Sequence, residues 1–172
     1  MCELTAGYNK QRCKGVGGVK RFIVYAIEDR FSYVRTGNAI TGIVMKNGKQ
    51  AQDFQVEMEL SNAIQTGTGS RPDGTYFYSQ AIQMILTDKT QAGIDLMALL
   101  GPGRWGIIAF YENGINRHFG LINGMMVDTD ADDSGTELGN RNGNTIALSG
   151  REVNTAPTIS DSLAEQILLP GS

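Results

Sequence analysis

The chain of 172 residues has little of what catalytic and metal sites are made from: one histidine, two cysteines and four prolines. Any Ser/His/Asp or Cys/His catalytic set would have to use His118, which we predict to be an ordinary strand residue, solvent-facing or satisfied by hydrogen bonds. One histidine with Cys2 and Cys13 is too few for a four-ligand zinc site. We therefore expect a protein that is not an enzyme and needs no cofactor.

Long apolar runs and clusters of positive charge are also missing. No stretch approaches the roughly 18 apolar residues of a membrane span, so no membrane partner is expected. Fifteen basic and eighteen acidic residues give a net charge of −3, and the only basic run is Lys20-Arg21. Tight nucleic-acid binders usually carry a basic face, so any contact with DNA is predicted to be passive.

The first residues do not have the basic-then-apolar order of a secretory signal. We accordingly expect synthesis in a reducing cytoplasm, with Cys2 and Cys13 as free thiols. A disulfide formed after release from the cell is the alternative.

Glycine is abundant, with 22 residues, and its placement indicates tight turns between strands. Asn-Gly and Asp-Gly pairs favour the two positive φ angles of a type I′ hairpin turn. The Asn-Gly pairs are at 47–48, 113–114, 123–124 and 142–143, and an Asp-Gly pair is at 73–74. Between the turns, strands are predicted over 19–26, 40–46, 53–61, 75–86, 105–111, 117–127 and 145–149.

The segment 53–61 has the clearest period of two. Its apolar residues are Phe54, Val56, Met58 and Leu60, and its polar residues, in alternation with them, are Asp53, Gln55, Glu57, Glu59 and Ser61. This predicts a half-buried antiparallel strand with a solvated acidic face. Its predicted partners are the strand 40–46, reached through Asn47-Gly48, and the long strand 75–86, reached through a loose tip at 65–74.

One segment has a helical pattern instead. Residues 87–100 begin with capping side chains and are followed by Gly101-Pro102, which stops a helix. The fold is therefore predicted to be mainly β, an antiparallel β-sandwich or open barrel with one flanking α-helix and extended arms. Residues 1–18 form an N-terminal arm, 19–153 the domain and 154–172 a C-terminal extension, which either packs on its own domain as a last helix or docks on a neighbour.

The best candidate for a cation site is the acidic segment that begins at Asp128, in which Asp128, Asp130 and Asp132 alternate like calcium ligands. The sixth position is Asp133 where a calcium loop has Gly, and the twelfth is Gly139 where it has Glu. A solvated acidic hairpin is therefore favoured over a weak cation site.

Two stretches give the sequence a resemblance to a known family. One is Cys2-Glu3-Leu4-Thr5-Ala6-Gly7 with Cys13 and Gly17-Gly18-Val19-Lys20; the other is Ser134-Gly135-Thr136 with the run 141–152, which ends in Gly150-Arg151-Glu152. Together with the order of arm, long hairpin, helix and strand pair, they make residues 1–153 resemble the tail tube proteins of tailed bacteriophages and related contractile injection systems.

The resemblance implies a virion structural protein of the phage tail, assembled in the host cytoplasm. Copies of the chain would form hexameric rings that stack into a tube, with tape-measure, tail terminator and baseplate proteins as further partners and DNA as passing cargo. It places Asp53, Glu57 and Glu59 on the lumen, where they would repel the DNA backbone. The tip with Thr66, Ser70, Arg71 and Asp73 would bridge one ring to the next.

Two other readings fit the same pattern. A capsid decoration or head–tail connector protein would share the β-rich fold and the loose arms. A carbohydrate-binding β-sandwich would use Trp105, Tyr76 and Tyr78 as a stacking platform, although Trp105 also fits a place in the core.

Overall fold

A computed structural model describes residues 17–56, 59–70, 72–87, 90–133 and 143–171. These residues form two sheets, two α-helices and a single 3₁₀ turn at Ile27–Asp29. The mainly β sandwich with a flanking helix, expected from the sequence, is confirmed. The strands are β1 (Val19–Ala26), β2 (Arg30–Thr36), β3 (Ala39–Met45), β4 (Gln52–Gln55), β5 (Asn62–Ser70), β6 (Thr75–Leu86), β7 (Trp105–Tyr111), β8 (Asn116–Phe119), β9 (Met126–Asp133), β10 (Gly143–Glu152) and β11 (Thr158–Ile159), and the helices are α1 (Gln91–Leu100) and α2 (Asp161–Gln166).

The strands divide into a seven-stranded sheet, in the order β2-β3-β11-β8-β7-β1-β4, and a four-stranded sheet, in the order β5-β6-β10-β9. Every neighbouring pair is antiparallel except β3 and β11, which run parallel. Within the described residues, no helix is long and apolar enough to span a bilayer.

The main core lies between the two sheets. Phe22 and Ile107 of the seven-stranded sheet, Ile82 and Leu148 of the four-stranded sheet, and Met97 of α1 belong to one buried cluster. Burial of an apolar side chain of this size contributes about 1.5–3 kcal/mol. This cluster therefore holds the two layers and the helix together.

A second core covers the opposite face of the seven-stranded sheet. Ile23 and Ile108 of the central strands pack there with Ile159 of β11 and with Ala164 and Ile167 at the C-terminal helix. The C-terminal segment therefore packs on its own domain, one of the two alternatives. Because β11 lies inside the seven-stranded sheet, 154–171 is part of the folded unit and not an extension beyond it.

Several predicted elements match the structure closely. The strands 19–26, 75–86 and 105–111 agree residue for residue with β1, β6 and β7. The predicted helix is α1, and its N-cap Thr90 accepts a hydrogen bond from the Gly93 backbone N–H at 3.2 Å. These segments carry their own pattern of apolar residues, so local sequence is enough to define them.

The predicted strand 53–61 is wrong beyond Gln55. There the chain leaves β1, its only described partner, and Glu59 adopts a left-handed conformation with φ of 70° in a turn. This turn carries the chain from one sheet to the other. Consequently Leu60 is exposed and Ser61 is buried, the reverse of the predicted faces; Glu57 and Met58 lie outside the described residues.

Three pairing predictions also need correction. The strand 40–46 does not form a hairpin with β4, because β3 pairs with β2 and β11 while β4 pairs with β1. The loose tip at 65–74 is mostly β5, which pairs with β6 without a register shift up to Ser70. The predicted strand 117–127 is divided into β8 and the start of β9 by the loop that contains Gly120 and Gly124, both with positive φ.

Candidate functional site

The outer face of the four-stranded sheet is built almost entirely from small or uncharged side chains. Directly paired residues share a face, and the pair Leu148–Ile82 points into the core, so the alternate pairs point outward. Of the paired residues that the register puts on this outer face, Arg151 and Asp133, at the end of β9, are the only charged ones among the described residues. Four are large and apolar, namely Ile64, Phe77, Ile85 and Met126. The polar and small residues there are Asn62, Thr66, Thr68, Ser70, Thr75, Ser79, Ala81, Gln83, Thr129, Ala131, Thr145, Ala147 and Ser149.

Both borders of this sheet are edge strands. Within the described residues, β5 pairs only with β6 and β9 only with β10. The nine residues of β5 contain no charge and no proline, and their pairing has no bulge. Natural proteins normally protect an edge strand with a charge, a proline or a bulge, so β5 is an edge suited to pairing with another chain. The other border differs, because β9 carries Asp128, Asp130 and Asp132 and its pairing with β10 has a register shift.

The structure does not bring the predicted lumen acids together. Asp53 is on β4 in the seven-stranded sheet, 3.5 Å from the Arg21 guanidinium, whereas Glu59 lies in the turn between the sheets. Glu57 lies outside the described residues. The acidic row depended on a continuous strand over 53–61, and that strand ends at Gln55.

The candidate cation ligands Asp128, Asp130 and Asp132 are on the edge strand β9 and not in a loop. A strand spreads alternate residues along one line about 7 Å apart, so their oxygens do not converge as a calcium loop requires. Among the described residues, no group of three or more His, Cys, Asp or Glu is arranged to hold a metal ion.

The predicted inter-ring tip is the end of the β5–β6 hairpin. Thr66 pairs with Ser79 inside the hairpin, while Ser70 Oγ donates to Asp73 Oδ2 at 2.7 Å across the turn. Arg71 lies outside the described residues. Apart from Arg71, the predicted loose tip is therefore part of the β5–β6 ribbon and its turn.

Tyr76 covers the glycine-rich part of this hairpin. A Cβ on Gly67 would overlap the Tyr76 hydroxyl, and one on Gly69 would lie 3.0 Å from its ring. The ring also meets Tyr78 edge-on, with centroids 5.3 Å apart. The two glycines thus leave the space that the tyrosine ring occupies, and the ring gives the thin end of the ribbon side-chain packing.

His118 is fully buried, and its surroundings keep it neutral. Its Nε2 is 2.8 Å from the Tyr25 hydroxyl, which also accepts from Arg30 Nη1 at 3.1 Å. Burial, with a smaller contribution from the Arg30 charge, lowers the pKa of His118 to about 3, and burial raises the pKa of Tyr25 to about 12. His118 was predicted to be either solvent-facing or satisfied by hydrogen bonds, and the solvent-facing alternative is wrong. Nε2 has a hydrogen-bond partner, whereas Nδ1 has none among the described residues.

Two buried polar residues that join the sheets were missed from the sequence. Glu152 Oε1 accepts from the backbone N–H groups of Ile122 and Asn123, at 2.9 and 2.8 Å. Gln80 Oε1 accepts from the Gly120 N–H at 2.8 Å. Both side chains extend from the four-stranded sheet to the loop after β8. The sequence feature that could have identified Glu152 is its position in Gly150-Arg151-Glu152, which ends one of the segments that carry the resemblance.

Trp105 is half-buried at the start of β7, where its indole donates to the Leu100 carbonyl at 2.8 Å. It therefore belongs to a different sheet from Tyr76 and Tyr78. Instead of joining an aromatic platform, Trp105 lines an apolar cleft between α1 and the β4 edge.

Comparison with known proteins adds nothing to this description: the chain matches no protein-family model, no curated protein and no solved structure.

Proposed function

We propose that this chain is a virion structural protein, the major subunit of a phage tail tube that assembles with copies of itself into stacked rings around a channel for DNA. The observation that carries the proposal is the outer face of the four-stranded sheet, which is nearly uncharged and bordered by the edge strands β5, which is unprotected, and β9, which is acidic. The sequence resemblance supports the same role.

The directions of the edge strands favour closure of several copies into a ring. Each neighbour in β5-β6-β10-β9 is antiparallel, so β5 and β9 run in opposite directions. If identical copies are placed side by side in the same orientation, β5 of one copy meets β9 of the next as an antiparallel pair. Repetition of one head-to-tail contact gives a closed ring when the rotation closes, and closure removes the sheet edges.

The chemistry of the face suits passage of DNA. Lysine and arginine bind phosphates by releasing counterions, so a surface without them has little affinity for the DNA backbone. Hydroxyl and small side chains dominate this face, with Thr66 near one edge and Thr129 near the other. In this proposal the lumen wall does not bind DNA because it is nearly neutral, whereas the sequence predicted an acidic row that repels DNA.

The β5–β6 hairpin provides the contact between rings. The described residues of its outer half, 66–70 and 72–79, include no buried side chain, and Tyr76 is 58% exposed. A long ribbon that is not needed for the core is suited to reach a neighbouring ring, and the ends of the tube would meet the tape-measure, terminator and baseplate proteins.

The test is electron microscopy of the purified protein with sedimentation velocity over a range of concentrations. Rings or long tubes with an open centre support the proposal. Trimers or rings that do not stack would favour the decoration or connector role and refute the tube. A monomer at all concentrations whose melting temperature rises with an oligosaccharide would refute self-assembly and favour a binding module.

A further inference from the structure

The two outer strands of the seven-stranded sheet, β2 and β4, run in opposite directions. Five antiparallel pairs and one parallel pair separate them in the order β2-β3-β11-β8-β7-β1-β4, which leaves β2 and β4 antiparallel. A second copy in the same orientation can therefore add its β2 to β4 as an antiparallel neighbour. The larger sheet is thus open to the same kind of head-to-tail growth as the smaller one.

The β2 edge carries the most exposed large apolar side chain among the described residues. No residue of β2 is buried, and Phe31 is 74% exposed while Val34 is 58% exposed. The strand also carries Arg30 and Arg35 and no acid, and its pairing with β3 shifts register between Arg30 and Ser32 and between Val34 and Arg35. An unpaired strand edge offers its backbone groups for pairing with another chain, and here it also presents an exposed aromatic ring.

The β4 edge has a cavity that fits such a side chain. An apolar cleft of about 180 Å³ lies between β4 and α1, lined by Val24, Gln52, Phe54, Leu96, Leu99 and Trp105, among others. An apolar cavity of about 150 Å³ is enough to hold benzene, so a phenylalanine ring fits. Leu99 on the rim is 69% exposed. The β4 strand carries Asp53 and no basic residue, opposite in sign to β2.

We propose that β2 of one copy pairs with β4 of the next and places Phe31 in the cleft beside Trp105. The occupant of the cleft is thus a second copy of this chain. Phe31 has no direct partner on β3, because the pairing shifts register between Arg30 and Ser32. The proposed contact therefore requires a register with Phe31 opposite Phe54, which puts both rings on one face, since directly paired residues share a face and Phe54 lines the cleft. This contact rests on the proposed function only in requiring that copies assemble.

The first experiment measures the concentration at which half of the protein is assembled. Phe31→Ala and Leu99→Ala are each expected to raise it about tenfold or more, because each removes a large apolar side chain from the contact. The double variant is expected to raise it no further than the stronger single variant, since the two side chains meet each other. Val153→Ala, at a residue that is 70% exposed and outside the contact, is the control.

The second experiment uses Trp105, the only tryptophan of the chain, as a probe in the cleft. Assembly of the wild type and of Val153→Ala is expected to shift its emission to shorter wavelength, because Phe31 of the neighbour displaces water. Phe31→Ala is expected to lose this shift, even at concentrations high enough for it to assemble through other contacts.

The outcomes separate this contact from the proposed function. If the wild type assembles and Phe31→Ala and Leu99→Ala assemble equally well with the same emission shift, the contact is refuted and the tube proposal stands. If the increases in the half-assembly concentration caused by Phe31→Ala and Leu99→Ala multiply in the double variant, the two residues lie in separate contacts. That result also refutes the proposed contact. A wild type that stays monomeric refutes both.

Discussion

The Tyr25 hydroxyl and His118 Nε2 lie 2.8 Å apart inside the seven-stranded sheet, with the two rings edge-on and their centroids 5.6 Å apart. Arg30 donates both to the same hydroxyl and to the Leu121 carbonyl, at 3.1 and 2.6 Å. The hydroxyl therefore joins the Arg30 guanidinium to the imidazole of His118. This chain of bonds fixes the start of β2 to the centre of the domain.

The first prediction removes that hydroxyl. Tyr25→Phe leaves a buried imidazole nitrogen without its hydrogen-bond partner and Arg30 without one acceptor, so we expect a loss of about 1–3 kcal/mol in the free energy of unfolding. Denaturant titration measures it. The matched control is Tyr33→Phe, since Tyr33 keeps its ring under the Arg30 guanidinium and is 36% exposed. Equal stability of the two variants would show that the buried bonds contribute nothing.

The second prediction concerns acid. The pKa of His118 is about 3 in the folded protein and about 6.5 when unfolded, so the unfolded chain binds the extra proton between these values. Its contribution to stability is complete above pH 6.5 and is lost as the pH falls toward 3, with a slope approaching about 1.4 kcal/mol per pH unit.

The chain has one histidine, so His118→Gln isolates this effect. The variant is expected to be less stable than the wild type at pH 7.5, but to have a flatter stability profile between pH 6.5 and 5, where carboxylates titrate little. Denaturant titrations at a series of pH values give both profiles. Parallel profiles would mean that His118 is protonated in the folded state as readily as in the unfolded chain.

The third prediction concerns Glu152. Its carboxylate accepts two backbone N–H groups of the loop after β8 and is 3% exposed. Glu152→Ala leaves Ile122 and Asn123 without this acceptor, at an expected cost of about 2–3 kcal/mol, because hydrogen bonds to charged groups are stronger than neutral ones.

The control for Glu152 is Glu28→Ala, since the Glu28 side chain is 80% exposed and its nearest cation, Arg104, is 3.9 Å away. Surface pairs of this kind contribute about 0–1 kcal/mol. A Glu152→Ala variant no less stable than Glu28→Ala would contradict the assigned role, and hydrogen exchange at Ile122 and Asn123 would locate any loosening in the loop.

Local patterns and long-range pairing explain which elements could be predicted. The strand β7 is an almost unbroken apolar run, buried on both faces, and its composition alone identifies it. The edge strand β2 buries nothing, so its sequence has no burial alternation to detect. The two residues of β11 are a strand only because β3 and β8 flank them, which local sequence does not contain.

The segment 53–61 shows how a clear pattern can mislead. Its alternation continues through Leu60, but pairing with β1 stops at Gln55 and the chain changes sheets at Glu59. The neutral sheet face was equally hidden, because it is made from β5, β6, β9 and β10 only once their register is known.

The fourth prediction shortens the β5–β6 hairpin. Gly67 and Tyr78 are directly paired, so the ten residues 68–77 can be replaced by Asn-Gly, which closes a two-residue type I′ turn. Of the removed residues, those that the structure describes, 68–70 and 72–77, include no buried side chain. We therefore expect a monomer with an unchanged melting temperature that forms rings but does not stack into tubes.

Electron microscopy and thermal melting test the shortened hairpin, with Gly74→Ala as the control. Gly74 has a φ of 63° in the turn, so alanine strains the tip without shortening the ribbon. Tubes of normal length from the shortened variant would show that the hairpin is not the contact between rings.

The fifth prediction adds positive charge to the neutral face. Thr66 and Thr129 are exposed and lie on the two edge strands of the four-stranded sheet. In a tube, Thr66→Lys with Thr129→Lys adds two lysines per copy to the channel, and lysines bind phosphates in proportion to the counterions they release. Tubes of the double variant are expected to retain DNA at about 50 mM salt and to release most of it at about 200 mM, whereas wild-type tubes release it at both.

Cosedimentation of labelled DNA with assembled tubes measures retention. The control is Leu169→Lys, at a residue that is 66% exposed and lies beside β3 of the seven-stranded sheet. Because only charge on the channel wall meets the DNA, Leu169→Lys tubes are expected to release DNA as wild-type tubes do, and a phage with the double variant is expected to eject its genome more slowly than one with Leu169→Lys. If Leu169→Lys tubes retain DNA as strongly as the double variant does, the outer face of the four-stranded sheet is not the lumen, and the neutrality of that face has another cause.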